Sequence, residues 1–128
     1  MIFVDTNVFM YAVGGPHPLR DSARTFFDEH QVPSTRLVTS AEVIQELLHA
    51  YLKVNRLKTL DTALRLVETG LATVWPVEVA DVRGARALIP HHPGLSARDL
   101  VHLACCHRHG AHDLMTYDRA LAAAFAAA

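Results

Sequence analysis

The sequence predicts an α/β fold built on a parallel sheet. Three observations carry that prediction. Short apolar runs ending in turn or cap residues alternate with longer amphipathic segments. Four of the short runs follow one another along the chain, which suits strands joined by right-handed helical crossovers. No linker, repeat or low-complexity stretch interrupts the alternation before the Ala-rich end Leu121–Ala128, which reads as a last helix that then frays.

The first strand is Ile2-Phe3-Val4, ended by Asp5-Thr6-Asn7. A helical pattern over 19–29 leads to the second strand, Arg36-Leu37-Val38, ended by Thr39-Ser40. Thr39-Ser40-Ala41-Glu42 has capping-box spacing and opens a helix over 40–53, with Val43, Ile44, Leu47, Leu48, Tyr51 and Leu52 as its apolar stripe. A helix over 57–70 precedes the third strand, Ala72-Thr73-Val74-Trp75, stopped by Pro76. Next come a helix over 78–89, an exposed turn at His91-His92-Pro93-Gly94, and a helix over 97–109. That helix opens on the capping spacing Ser96-Ala97-Arg98-Asp99 and stops at Gly110. The fourth strand, Asp113-Leu114-Met115-Thr116, ends at Tyr117-Asp118 and leads into a helix over 118–126.

Composition narrows the class. A chain of 128 residues with 51% hydrophobic content predicts one domain over 1–128 and is too apolar to be disordered. No apolar run reaches the roughly 18 residues of a membrane span, and the N-terminus has no basic signal-like region. The only cysteines, Cys105 and Cys106, are neighbours, which excludes a disulfide framework and fits a reducing compartment. The expectation is a soluble, cytoplasmic domain. A net charge of −1 gives no overall basic footprint, although ten of the twelve basic residues are Arg, suited to bidentate phosphate contacts.

Four acids map to the rim outside the carboxyl ends of the strands, where open α/β sheets gather ligands. Asp5 ends the first strand, Glu46 lies on the helix leaving the second, Asp99 sits in the first turn of its helix, and Asp118 follows the last strand. Singly, each reads as a cap or a solvated charge. Together they would repel one another, and a hard divalent cation, Mg²⁺ or Mn²⁺, is the economical resolution. Such an ion at a phosphoryl group makes a protein nucleophile unnecessary. Asp5 and Asp99 are the principal expected ligands, with Asp118 completing the set directly or through water. Glu46 would bind metal or position the attacking water. Asn7 and Thr116 would orient the carboxylates. Setting the four acids aside leaves nine acids against twelve bases, a net of +3 that a phosphate backbone tolerates. Arg20, Arg24, Arg56, Arg98 and Arg119 are candidates for backbone contacts.

Asp99, His102, Cys106 and His109 share one helical stripe, but spread over about 15 Å they cannot converge on one tetrahedral zinc. His102 reads as an interior or supporting residue, and the two cysteines as core.

Ile2-Phe3-Val4-Asp5-Thr6-Asn7-Val8-Phe9, the Glu46-Leu47 helix, Leu95-Ser96-Ala97-Arg98-Asp99-Leu100-Val101-His102 and Met115-Thr116-Tyr117-Asp118 together resemble the PIN-domain family, in particular the VapC toxins of bacterial and archaeal toxin–antitoxin pairs. The resemblance spans nearly the whole chain. It implies a three-layer α/β/α fold with a short, mainly parallel sheet of four or five strands. Asp5, Glu46, Asp99 and Asp118 fall on the family's acidic quartet, and Asn7 and Thr116 on its polar positions. One departure is that Asp118 follows Tyr117 and leads into Arg119-Ala120-Leu121, where an aromatic commonly closes the motif. The implied activity is Mg²⁺-dependent endoribonuclease cleavage of structured RNA such as tRNA or rRNA, leaving 5′-phosphate and 3′-hydroxyl ends. A homodimer and inhibition by a small VapB-like antitoxin are implied as well. Two other readings stay open: a non-catalytic PIN-like RNA-binding scaffold, and a receiver- or phosphatase-like phosphotransfer domain using acids at strand ends.

Overall fold

Ile2–Val4 (β1) has strands on both sides, all parallel to it: Leu37–Ser40 (β2) on one flank and Asp113–Met115 (β4) on the other. Thr73–Trp75 (β3) extends the sheet beyond β2, giving the order β3-β2-β1-β4. The structure, a computed structural model, describes residues 1–31 and 35–127. Thr6–Val13 (α1) and Arg20–Glu29 (α2) connect β1 to β2, and Ala41–Lys53 (α3) and Leu57–Gly70 (α4) connect β2 to β3. Val79–Leu88 (α5) and Ala97–His109 (α6) lead to β4, and Arg119–Ala126 (α7) follows it. The result is a three-layer α/β/α arrangement, at the lower end of the expected strand number. No helix among the described residues is long and apolar enough to cross a membrane.

The inner strands β1 and β2 are short and buried throughout, which is why they read as continuous apolar runs, whereas the edge strands β3 and β4 are only partly buried. Phe3, Val4 and Val38 are fully enclosed, as are Val8 and Phe9 from α1, Val43 and Leu47 from α3, Leu103 from α6 and Leu121 from α7. The connections from β1 to β2 to β3 step outward on one side. The α5–α6 connection then returns across the sheet to place β4 on β1's other flank. Connections therefore diverge between the carboxyl ends of β1 and β4, the position where open sheets form a crevice.

Most elements match their expected segments to within a residue or two. One helix was not expected. The chain turns directly from β1 into α1, where the sequence pattern indicated only a strand-ending turn at Asp5-Thr6-Asn7. Its composition, TNVFMYAV, is β-branched and aromatic, a poor helix former in isolation. Tertiary burial of Val8, Phe9 and Ala12 on one face overrides that propensity. Two smaller differences follow. The chain tightens into a 3₁₀ turn at Ile89–His91, within the segment expected to close α5 and open a turn. The expected capping box at Thr39–Glu42 does not form: Ser40 caps α3 without a side-chain bond, and Thr39 Oγ1 donates to the Val4 carbonyl at 2.8 Å, crossing from β2 to β1. By contrast, Ser96 Oγ accepts from the Asp99 amide at 3.2 Å, and Gly110 closes α6 in the left-handed conformation at φ 70°, both as the sequence indicates. Ala128, the end of the expected fraying tail, lies outside the described residues.

Candidate active site

Asp5 stands where β1 becomes α1. Its Oδ1 accepts from the Thr6 amide at 2.8 Å as the cap of α1. The sheet register sets Val4 beside Met115, and the Asp5 amide donates to the Met115 carbonyl at 3.0 Å. Thr116 therefore arrives next to Asp5, and its Oγ1 donates to Asp5 Oδ2 at 2.7 Å. The same hydroxyl oxygen accepts from Asn7 Nδ2 at 3.2 Å and from the Asp118 amide at 3.0 Å. Asn7 Oδ1 in turn accepts from the Tyr117 amide at 3.2 Å. Asn7 and Thr116 thus form one network that fixes Asp5 and the Thr116-Tyr117-Asp118 segment together.

Glu46 reaches the same crevice from the second turn of α3. Its Oε2 accepts from Thr6 Oγ1 at 3.0 Å, and its Oε1 lies 2.5 Å from Nε2 of His102 on α6. That nitrogen is also 3.6 Å from Asp5 Oδ1. His102 is fully buried, and its other ring nitrogen has no partner among the described residues, so its polar contacts all face the two carboxylates. Asp5, Glu46 and His102 bring one ligand-type atom each to within 4.8 Å of one another. Asp99, in the first turn of α6, lies within electrostatic reach of Asp5 and His102, and Asp118, the cap of α7, within reach of Asp99. Asp118 Oδ1 also accepts from the Leu121 amide at 3.1 Å.

The charges respond as crowded carboxylates should. Burial raises the Asp5 carboxyl above its ordinary range, despite the opposing pull of His102. Burial also raises Asp99, reinforced by the charges of Asp5 and Asp118. Glu46 moves the other way: burial works against its charge, but the hydrogen bond and charge of His102 outweigh that and hold it below the usual range. Burial likewise opposes charge on His102, and the Glu46 bond with the surrounding carboxylates overcomes it and raises the imidazole. The consistent description is a Glu46 carboxylate receiving a proton-bearing Nε2 from His102.

Oxygen donors dominate this crevice. His102 Nε2 is committed to Glu46, and among the described residues neither Asp5 nor Asp99 pairs with a Lys or Arg. A carboxylate-rich, cation-poor donor set of this kind fits a hard divalent ion better than zinc. The rest of the α6 stripe is occupied elsewhere. His109 stacks on Trp75 with ring centroids 4.1 Å apart, and Cys105 and Cys106 are buried, with burial pushing the Cys105 thiol up to about 12.

Of the four expected acids, Asp5 and Glu46 meet in the crevice, where Asn7 and Thr116 hold Asp5; Asp99 acts on Asp5 and His102 through its charge, and Asp118 adjoins Thr116 through its amide. Sequence reasoning missed Thr6, whose hydroxyl holds Glu46, and did not find the carboxylate partners of His102. The available signal was spacing: His102 lies one turn beyond Asp99 on the same helical face.

The PIN domain family matches residues 2–125 of the chain. Ribonuclease VapC23 of Mycobacterium tuberculosis is 60% identical over 125 residues, 98% of both chains. Ribonuclease VapC13 of the same organism is 37% identical over 119 residues, covering 93% of this chain and 91% of the relative. Among solved structures, M. tuberculosis VapC20, a sarcin-ricin loop cleaving toxin, superposes with a TM-score of 0.82 at 18% identity over 97% of this chain and 95% of its own. FitAcB from Neisseria gonorrhoeae gives 0.71 at 18% identity over 98% and 94%. These two likenesses concern the fold alone.

Proposed function

This chain belongs to the PIN-domain family, and from that premise we propose that it is a divalent-metal-dependent endoribonuclease, the toxin of a VapBC-like toxin–antitoxin pair. One observation carries the reading: the carboxylates of Asp5, from the end of β1, and Glu46, from α3, meet at His102, and the charge of Asp99 acts on the same place. Kinship with chains named VapC ribonucleases supports the same activity.

In this reading Asp5 and Asp99 hold Mg²⁺ or Mn²⁺, and Asp118 completes the set. When bound, the ion supplies Lewis acidity to the phosphoryl oxygens of the substrate. The protein's own residues do the rest. Thr116 and Asn7 keep Asp5 in one orientation, so little reorganisation accompanies binding. His102 and Thr6 pin one hydrogen bond on each oxygen of Glu46, leaving its remaining lone pairs to orient the attacking water. Hydrolysis leaves a 5′-phosphate and a 3′-hydroxyl. The whole of residues 1–128 serves as one nuclease domain, working in the cytoplasm on a structured RNA of the tRNA or rRNA kind.

A homodimer and a VapB-like antitoxin belong to the same reading. Exposed apolar side chains along the α3–α4 hairpin, Leu48, Leu52, Val54 and Leu57, supply surface that a protein partner would cover. The test is incubation of purified protein with total RNA in Mg²⁺ and in EDTA, followed by end-group analysis. New 5′-phosphate ends in Mg²⁺ only support the proposal. Undiminished cutting in EDTA, or RNA binding in Mg²⁺ without any cutting, contradicts it.

A further inference from the structure

Helix α1 carries more than the Asn7 side of the crevice. One turn beyond Asn7, on the same face, stands Tyr11. Its ring meets Tyr117 edge-on, centroids 5.5 Å apart at 80°, and lies against His17 at 4.5 Å and 31°. Tyr117 is the residue between Thr116 and Asp118. Its amide is fixed to Asn7, and its hydroxyl pairs with Ser22 Oγ on α2 at 2.8 Å. The aromatic set is thereby anchored to the acid crevice. Tyr11 and Tyr117 are half-buried and His17 is exposed, so the cluster is not part of the core.

Beside Tyr11 and His17 opens a groove of about 400 Å³ that Tyr51 and Arg56 also line. The Gly14-Gly15-Pro16 segment also lines it. A Cβ at Gly14 would stand 2.9 Å from the Met10 carbonyl, so this close turn requires glycine. Among the described residues no acid pairs with the Arg56 side chain, so its charge is available to a ligand.

We propose that this groove is a stacking subsite for one unpaired nucleobase of the RNA strand, close to the nucleotide whose phosphodiester is cut. Tyr11 and His17 supply the ring faces, and Arg56 supplies charge for the adjoining phosphate. The inference rests on the nuclease reading and names how that site takes its substrate. The chemistry favours a base over a peptide. Ring faces beside an unpaired guanidinium are the combination that holds single strands, since every base has a π-face and every linkage a negative charge. The groove is also tied to the acids that meet the phosphate, because Tyr11 in its wall packs edge-on against Tyr117, the neighbour of Asp118. Such a subsite selects for unpaired RNA and discriminates weakly among bases.

The test uses metal-free full-length protein, with EDTA present so that nothing is cut. The probes are an eight-nucleotide RNA carrying one 2-aminopurine and the same RNA with an abasic unit at that position. Moving the label along the strand finds the position whose fluorescence is quenched on binding. There, the intact RNA is expected to bind about tenfold or more tightly than the abasic one. Tyr11→Ala and His17→Ala should shrink that difference towards unity, whereas Tyr11→Phe, which keeps the ring, should preserve it and serve as the folding control. Arg56→Gln should weaken both RNAs alike and reduce the salt slope by about one. Equal binding of intact and abasic RNA at every position would overturn the subsite, while cleavage by the wild type in Mg²⁺ would leave the nuclease reading standing. No cleavage with retained abasic discrimination would overturn the nuclease reading and leave the subsite. Loss of a protein inhibitor's binding in Tyr11→Ala, with no response to base removal, would make the groove a protein-docking surface and overturn the assignment.

Discussion

His102 Nε2 lies 2.5 Å from Glu46 Oε1 across the α3–α6 gap, the imidazole fully buried and the carboxylate only partly so. A helix that contributes one candidate metal ligand, Asp99, thus also supplies the imidazole that orients the acid of another helix.

Removing that imidazole should cost both stability and activity. His102→Ala leaves a cavity and frees one oxygen of Glu46, a loss of about 2–4 kcal/mol by chemical denaturation. Cleavage should fall on the order of tenfold to a hundredfold, as when a residue supporting a metal ligand is lost. His102→Gln, which keeps a donor, should recover part of the cleavage. Equal rates in the two variants would mean that His102 merely fills space.

The crowding of Asp5 and Asp99 has a measurable consequence for the metal-free protein. Both carboxyls are raised in the fold, chiefly by burial, so their charged forms are disfavoured relative to the unfolded chain. Their stability contribution is complete below the ordinary carboxylate range and is lost as pH rises through the raised values. In EDTA the protein should therefore melt at a higher temperature near pH 5 than near pH 8. Asp99→Asn should raise the melting temperature at pH 8 by a few degrees, abolish cleavage, and remove most of the stabilisation that Mg²⁺ gives the wild type. A lower melting temperature for Asp99→Asn would contradict this account of the charges.

Thr116→Val tests the hydroxyl hub. The substitution keeps the shape but removes the 2.7 Å donor to Asp5 and the acceptor for Asn7 and the Asp118 amide. Cleavage should drop at least about tenfold. Thr116→Ser should stay close to wild type.

On the acid limb a different pair governs. Asp81 on α5 is almost completely buried, and Arg108 on α6 donates to it from Nε at 2.6 Å and from Nη2 at 3.0 Å. Those bonds hold the Asp81 carboxyl below its ordinary range despite burial. Its contribution is therefore present above about pH 4 and lost as pH falls through the lowered value. Arg108→Ala, which strands the buried acid, should lower the melting temperature more than Asp81→Asn combined with Arg108→Ala. The reverse order would show that the pair does not brace α5 to α6.

The fold and the site were legible to different degrees for physical reasons. The inner strand β1 announced itself because burial on both faces makes Ile2-Phe3-Val4 uniformly apolar. Ser96 and Gly110 marked the ends of α6 because cap chemistry is local. Helix α1 was hidden because its β-branched and aromatic residues are helical only through tertiary packing. Thr39 was misread for a related reason: its hydroxyl serves a neighbouring strand rather than its own helix. Asp5, Glu46, Asp99 and Asp118 could be assigned to one rim from topology, but the pairing of His102 with Glu46 joins residues 56 positions apart. No local pattern encodes that contact. The Tyr11–Tyr117 edge contact is likewise long-range.

The decisive experiment is the initial rate of cleavage of a defined single-stranded RNA as Mg²⁺ is titrated into metal-free wild-type protein and the Asp5→Asn variant. A rate that rises and saturates in the wild type, with none detectable in Asp5→Asn at any Mg²⁺ concentration, is the predicted result. A wild-type rate that is already full in chelator, or an Asp5→Asn variant that cuts as fast as the wild type, would contradict a cation-dependent acidic centre.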